Sequence, residues 1–170
     1  MQWMNKRENY QFHFLNDKMD LKELKKTVFN FIISELDKRE VEIQNGIESI
    51  KISRDSDTKS SAGDKYETSR EMAQIELEKS SNQLKVLKNQ KAEMDKINLD
   101  VKYQRVSHGA FIASEDSFYF ISIGLGKLNV KDKTIYAISL QSPLGKELFG
   151  KAENDEIRFN NSLIKLSSIV

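Results

Sequence analysis

The sequence predicts an α+β protein, with a long N-terminal helical hairpin followed by a small antiparallel sheet domain that carries one short helix. Three observations point there. Apolar residues recur at helical spacing from about residue 20 to residue 98. Near Val101 the repeat shortens to about two, the signature of half-buried strands. The one proline, Pro143, lies well outside the helical part, which therefore contains no residue that breaks a helix outright.

Residues 1–19, beginning "MQWMNKRENY", have no continuous apolar run and read as an N-terminal arm. From residue 20 the first helix begins. Phe29, Ile32, Leu36, Ile43, Ile47 and Ile50 are spaced by three, four, seven, four and three residues, so they share one face. Lys, Glu, Asp and Arg fill the other. Gly46 costs a helix interior about 1 kcal/mol relative to alanine and softens it there. The second helix repeats the pattern through Ala73, Leu77, Leu84, Leu87 and Met94. Two adjacent stripes of similar length bury each other best as an antiparallel coiled coil with helices of roughly 45 Å. A bundle formed with another chain is the alternative. The expected seam is Leu36, Ile43, Ile47, Leu77, Leu84 and Leu87, with the hairpin over residues 20–99 and its tip at 54–64.

Between the helices lies "RDSDTKSSAGDKYETSRE", residues 54–71, too polar to enter a core. A simple reversal needs about 2–8 residues, so this stretch reads as a tip presented to a partner. Asp64 is placed to cap the second helix.

The C-terminal domain, residues 100–170, holds the β-rich runs "VKYQRV", "GAFIA", "FYFISI", "TIYAISL", "EIRF" and "LIKLSSIV". "SED" lies between the second and third runs. "NNS" joins the last two, since Asn tolerates the left-handed backbone of a tight hairpin. The short helix is "SPLGKELFG": Ser142 caps it, Pro143 suits its first turn and Gly150 its exit. Leu144, Leu148 and Phe149 are expected to fill the small core.

Composition excludes much. Twenty-seven basic residues against 26 acidic ones leave a net charge of +1, so no broad field draws the chain to nucleic acid or an acidic membrane. Without cysteine there is no disulfide, zinc thiolate or thiol nucleophile. No run approaches the ~18 apolar residues of a membrane span, and a cytoplasmic protein is expected. His13 and His108 lie in different segments and read as structural. "IGLGKL" lacks the first glycine of a phosphate-binding loop, because Ile121 stands there; it reads as a strand end and turn. Phe118, Tyr119 and Phe120 read as core. No constellation for an enzyme acting alone is present.

The stretch Ile138–Phe159, "ISLQSPLGKELFGKAENDEIRF", resembles the C-terminal domain of the Gre family of bacterial transcription elongation factors (GreA/GreB). The shared pattern falls on Ile138, Ser139, Ser142, Pro143, Leu144, Gly145, Leu148, Gly150, Lys151 and Asp155. "KYETSRE" more loosely resembles the start of the family's second hairpin helix. The resemblance covers residues from about 20 to the end. It implies an FKBP-like C-terminal domain that docks on RNA polymerase through Ser142, Pro143, Leu144 and Gly145. It implies a hairpin that enters the polymerase secondary channel, with indirect contact to the nucleic acid of the elongation complex. The implied protein is a monomer, is no enzyme, binds no membrane and has no cofactor of its own.

In the family the tip lends carboxylates to a second magnesium ion at the polymerase active site, as hard oxygen ligands suited to that ion. Here the pattern departs. The family's acids stand seven and four residues before the tyrosine; before Tyr66 those positions are Lys59 and Ala62. Lysine has the wrong sign for a metal ligand and alanine has no donor atom. The tip candidates are Asp55, Asp57, Lys59, Asp64, Tyr66 and Glu67, with Asp57 and Asp64 the substitutes if a metal is held. Weak or absent stimulation of transcript cleavage is expected. The alternative is a Gre-like module that binds another protein, and an independent prolyl isomerase is a distant third.

Overall fold

The computed structural model describes the backbone of residues 4–56, 63–115 and 117–170, and the side chains of 20–54, 67–115 and 117–170. Helix α1 spans Met4–Ser56 and α2 spans Gly63–Asp95. Residues 4–19, read above as most of an arm, continue α1. The chain divides into two compact units, Met1–Phe31 with Glu93–Val170, and Ile32–Ala92.

The unit Ile32–Ala92 is an antiparallel pair of helices. Near one end Lys91 of α2 meets Asp37 and Glu40 of α1, at 2.7 and 2.6 Å. Further along, Arg54 of α1 lines a groove with Glu67, Arg70, Glu71 and Gln74 of α2. The two carboxylates hold the Lys91 ammonium well above its ordinary range, chiefly through their hydrogen bonds. Of the expected seam, Leu36 and Leu87 are buried. Ile43, Ile47, Leu77 and Leu84 are half-buried. A pair of helices has no third wall, so such positions keep one side in water.

The other unit is built on a five-stranded sheet. Its strands are β1 (Phe111–Ala113), β2 (Phe118–Ser122), β3 (Gly126–Val130), β4 (Lys133–Ser139) and β7 (Ser168–Ile169). The order is β3-β4-β2-β1-β7. A separate hairpin pairs β5 (Glu156–Phe159) with β6 (Ser162–Lys165), and α3 (Pro143–Leu148) precedes it. The sheet is mostly antiparallel but not wholly, because β2 and β4 run parallel. After β2 the chain crosses the end of β4's position through residues 123–125, descends as β3 and returns as β4 between them. The amide of Leu125 donates to the Ala137 carbonyl on the way, at 3.2 Å.

Several sequence readings shift here. "VKYQRV" forms no strand and contributes one isolated bridge, Arg105 to Ala152. "IGLGKL", expected as a strand end and turn, supplies the first three residues of the edge strand β3, Gly126–Val130. "LIKLSSIV" breaks into β6 and β7, which join different sheets. The "NNS" turn forms as expected, with Asn160 and Asn161 both left-handed at φ 48° and 63°.

The sheet is buried on both faces, which is why "FYFISI" reads as a continuous apolar run. Ile112, Tyr119, Ile121 and Ile138 pack with Leu148 of α3, Ile157 and Ile164 in one core. Phe111, Phe120 and Ile135 alternate with these and are also fully buried. Phe111 stacks on Phe118 and meets Phe120 edge-on. The first part of α1 is tied to this domain by two lysines. Lys25, 1% exposed, donates from Nζ to the Val170 oxygen at 3.3 Å and lies 4.4 Å from the centre of the Tyr103 ring. Lys131 donates to the Thr27 hydroxyl at 3.4 Å.

Two predictions follow from this packing. Leu36→Ala should cost about 2–5 kcal/mol, as large-to-small changes at buried sites do, and half-exposed Leu84→Ala distinctly less. Urea unfolding of the two variants checks the order; equal losses would mean that the seam is uniformly buried. The second concerns Lys25, whose ammonium burial, and secondarily Lys22, lower to about 8 from 10.5. The folded chain holds this proton less tightly than the unfolded one, so the penalty is complete below about pH 8 and fades as pH rises toward 10.5. Lys25→Met keeps the apolar stem. It should raise stability at pH 7, by up to about 3 kcal/mol at roughly 1.4 kcal/mol per pH unit of displacement, and flatten the rise above pH 8. A variant no more stable than the parent at pH 7 would show that the Val170 hydrogen bond and the Tyr103 ring offset the burial of the ammonium.

Candidate functional site

Two places carry the expected site residues. The first is the end of the hairpin. Asp55 lies in the last turn of α1, and Asp64 and Tyr66 in the first turn of α2; their side chains fall outside the described residues, as do Asp57 and Lys59 altogether. Glu67 is described and exposed. It lines a polar groove with Arg54, Arg70, Glu71 and Gln74. Two arginines and two glutamates alternate there, so the groove is charged but close to neutral. Among the described residues no group of three or more His, Cys, Asp or Glu is placed to hold a metal ion.

The second place is the turn from β4 into α3. Ser142 has extended backbone, φ −69° and ψ 156°, and its hydroxyl accepts the amide of Gly145 at 3.0 Å. The same hydroxyl donates to the Ser139 carbonyl at 2.8 Å. One side chain thereby satisfies a free amide of the helix start and the last carbonyl of β4. Pro143 follows at the first helical position, where its missing N–H costs nothing, and it is exposed. Leu144 packs partly against the core.

Gly145 is buried, and a Cβ there would collide with the Ser139 carbonyl and come within 2.9 Å of Leu140 Cα. Glycine lets α3 sit directly on the end of β4. Gly150 leaves the helix at φ 76°. Its amide donates to the Val106 carbonyl, and the amide of Val106 donates to the Lys151 carbonyl, both at 2.8 Å. Arg105 adds a bond to the Gly150 carbonyl at 2.9 Å.

Ser142, Pro143, Leu144 and Gly145 are thus one rigid turn with Pro143 on its outer side. Phe149, expected in the core, is 60% exposed instead. With φ −55° and ψ 131° it has already left the helix, so its side chain does not follow Leu148 inward. Asp155 of the Ile138–Phe159 pattern has a structural role, accepting the Ala152 amide at 2.8 Å.

Lys25 is the residue that sequence reasoning missed. It was counted with the charged face of α1, yet it falls among buried Leu21, Leu24 and Val28, four residues after the first and three before the last. That spacing was the available signal. His108, expected to be structural, has a buried Nε2 with no hydrogen-bond partner among the described residues, while its carbonyl accepts the Tyr103 hydroxyl at 3.1 Å.

No described helix is long and apolar enough to cross a membrane. The chain matches no protein-family model, no curated protein and no solved structure.

The turn generates its own prediction. Gly145→Ala should destabilise the protein more than Ser142→Ala, which removes one cap worth about 1 kcal/mol. The added methyl has only backbone to push against. Thermal unfolding of both variants checks the ranking; a tolerated Gly145→Ala would mean that α3 can lift off β4 at little cost.

Proposed function

We propose that this chain binds bacterial RNA polymerase and regulates transcription elongation, in the manner of the Gre factors it resembles, by placing its helical hairpin in the polymerase secondary channel. One observation supports the reading above others: the unit Ile32–Ala92 is two antiparallel helices with a half-open seam. Such an element is slender, roughly 20 Å across at 10–12 Å per helix, as entry into a channel requires. On this reading the sheet domain is FKBP-like and docks through the turn Ser142–Gly145, whose preorganised backbone loses little entropy on binding. The protein acts in the cytoplasm as a monomer, holds no cofactor of its own and performs no chemistry itself.

Lys59 and Ala62 stand where the family carries its metal-binding acids, so the hairpin obstructs or reshapes the polymerase site without supplying a magnesium ligand pair. Pausing or inhibition is its expected effect. A second reading is a Gre-like scaffold that binds another protein.

The test pairs binding with activity. The chain should bind core polymerase, and Pro143→Asp, folded by circular dichroism, should lose at least about tenfold in affinity, or roughly 1.4 kcal/mol. On a backtracked complex the chain should stimulate transcript cleavage weakly or not at all. Absence of polymerase binding moves the protein to the second reading. Strong magnesium-dependent cleavage that disappears in Asp57→Ala or Asp64→Ala overturns the account of the tip.

A further inference from the structure

The face of α2 turned away from the seam carries a stripe that the hairpin leaves uncovered. Met72, Ile75, Lys79, Asn82 and Val86 follow one another by three, four, three and four residues and so lie along one side of the helix. Met72, Ile75 and Val86 are 65%, 63% and 58% exposed. Around Val86 the surface is hollowed into a shallow groove lined by Lys79, Asn82, Gln83 and Leu87.

Charge along the same helix is divided in two. Asp64–Glu78 holds five acids and two bases, a net −3, whereas Lys79–Asp95 holds four lysines and two acids, a net +2, with all four lysines ahead of Glu93 and Asp95. The division falls at the middle of the apolar stripe. A helix with opposite halves and a stripe centred on their boundary is complementary to an antiparallel copy of itself.

We propose that this face of α2 is the contact surface of an antiparallel homodimer, α2 against α2, with its twofold axis near Glu78 and Lys79. The axis places Met72 opposite Val86 of the second copy and Ile75 opposite its Asn82. Glu71 then faces Lys85 of the second copy, and Glu78 lies beside its Lys79. Each pair occurs twice, as an isologous contact requires. Lys91 is already held by Asp37 and Glu40 of its own chain and is not needed. A parallel pair would set the acidic halves side by side and the basic halves likewise, which repels. The outer face of α1 offers Val41 and Ile52, eleven residues apart with no such division of charge between them. This inference does not depend on polymerase binding; the monomer proposed above is the species that engages polymerase, and the dimer is in equilibrium with it.

A contact of this length belongs to the small, transient class of interfaces below about 1,200 Å². Its dissociation constant should fall in the micromolar range or weaker, near −8 kcal/mol or less in magnitude. Sedimentation of the full chain from about 10 to 500 μM should show a monomer–dimer equilibrium that weakens markedly between roughly 0.05 and 0.5 M salt, as screening of exposed charges demands. Ile75→Lys, at an exposed position that leaves the fold intact by circular dichroism, should be monomeric throughout. The variants Lys85→Glu and Glu71→Lys should each be monomeric alone and should form a mixed dimer when combined. A parent chain that stays monomeric at the highest concentration overturns the proposal. So does a dimer that persists in Ile75→Lys and in both charge-reversed chains, or a mixture of those chains that does not associate.

Discussion

A seam between two helices always has one side open to water, because only a third element can close it. That constraint governs the hairpin. Buried Ile32, Leu36 and Leu87 lie toward one end, where Lys91 clamps Asp37 and Glu40. Ile43, Ile47, Leu77 and Leu84, further along, remain half-buried. Among the described residues of the pair, apolar burial is therefore greatest near Lys91 and less beyond it.

The other unit, Met1–Phe31 with Glu93–Val170, solves the opposite problem and buries its sheet on both faces. Interposing β4 between β2 and β3 places Ile135, Ala137 and Ile138 at the centre, with a neighbouring strand on each side. The end of β4 then meets α3 with no spacer, through the hydrogen of Gly145 and the doubly bonded hydroxyl of Ser142. Ser142, Pro143 and Gly145 need no partner to explain them. Their structural duties are complete, and what remains open to a partner is the outer surface of Pro143, with exposed Phe149 beyond the helix end.

The helices were legible in the sequence because an uninterrupted 3.6-residue period without proline has few other solutions. The Asn160–Asn161 turn and the Ser142–Pro143 start were legible because each residue type answers a specific backbone demand. Strand β3 was not. Its burial is confined to Val130 and half of Leu128, so it has almost no apolar period, as befits an edge strand protected by polar residues. Its turn, Lys131–Asp132, adopts left-handed backbone at φ 50° and 59° without the Asn or Gly that announces it. The parallel pairing of β2 with β4 is set by the crossing of residues 123–125, which no local pattern encodes. Lys25 was hidden by its own charge, since an apolar stripe interrupted by lysine reads as the edge of a solvated face. At the site, the capped turn could be read and the outward Phe149 could not, because helical periodicity does not reveal where a six-residue helix stops.

The central claim is that the joined end of the hairpin reaches the interior of RNA polymerase. Photocrosslinking from residue 67, with a benzophenone amino acid in place of exposed Glu67, tests it most directly in a complex with core polymerase. The account predicts a crosslink to polymerase segments that line the secondary channel, lost when that channel is already occupied by another channel-binding factor. A complex that forms while residue 67 crosslinks only to the polymerase's outer surface, or to no polymerase subunit, would contradict it.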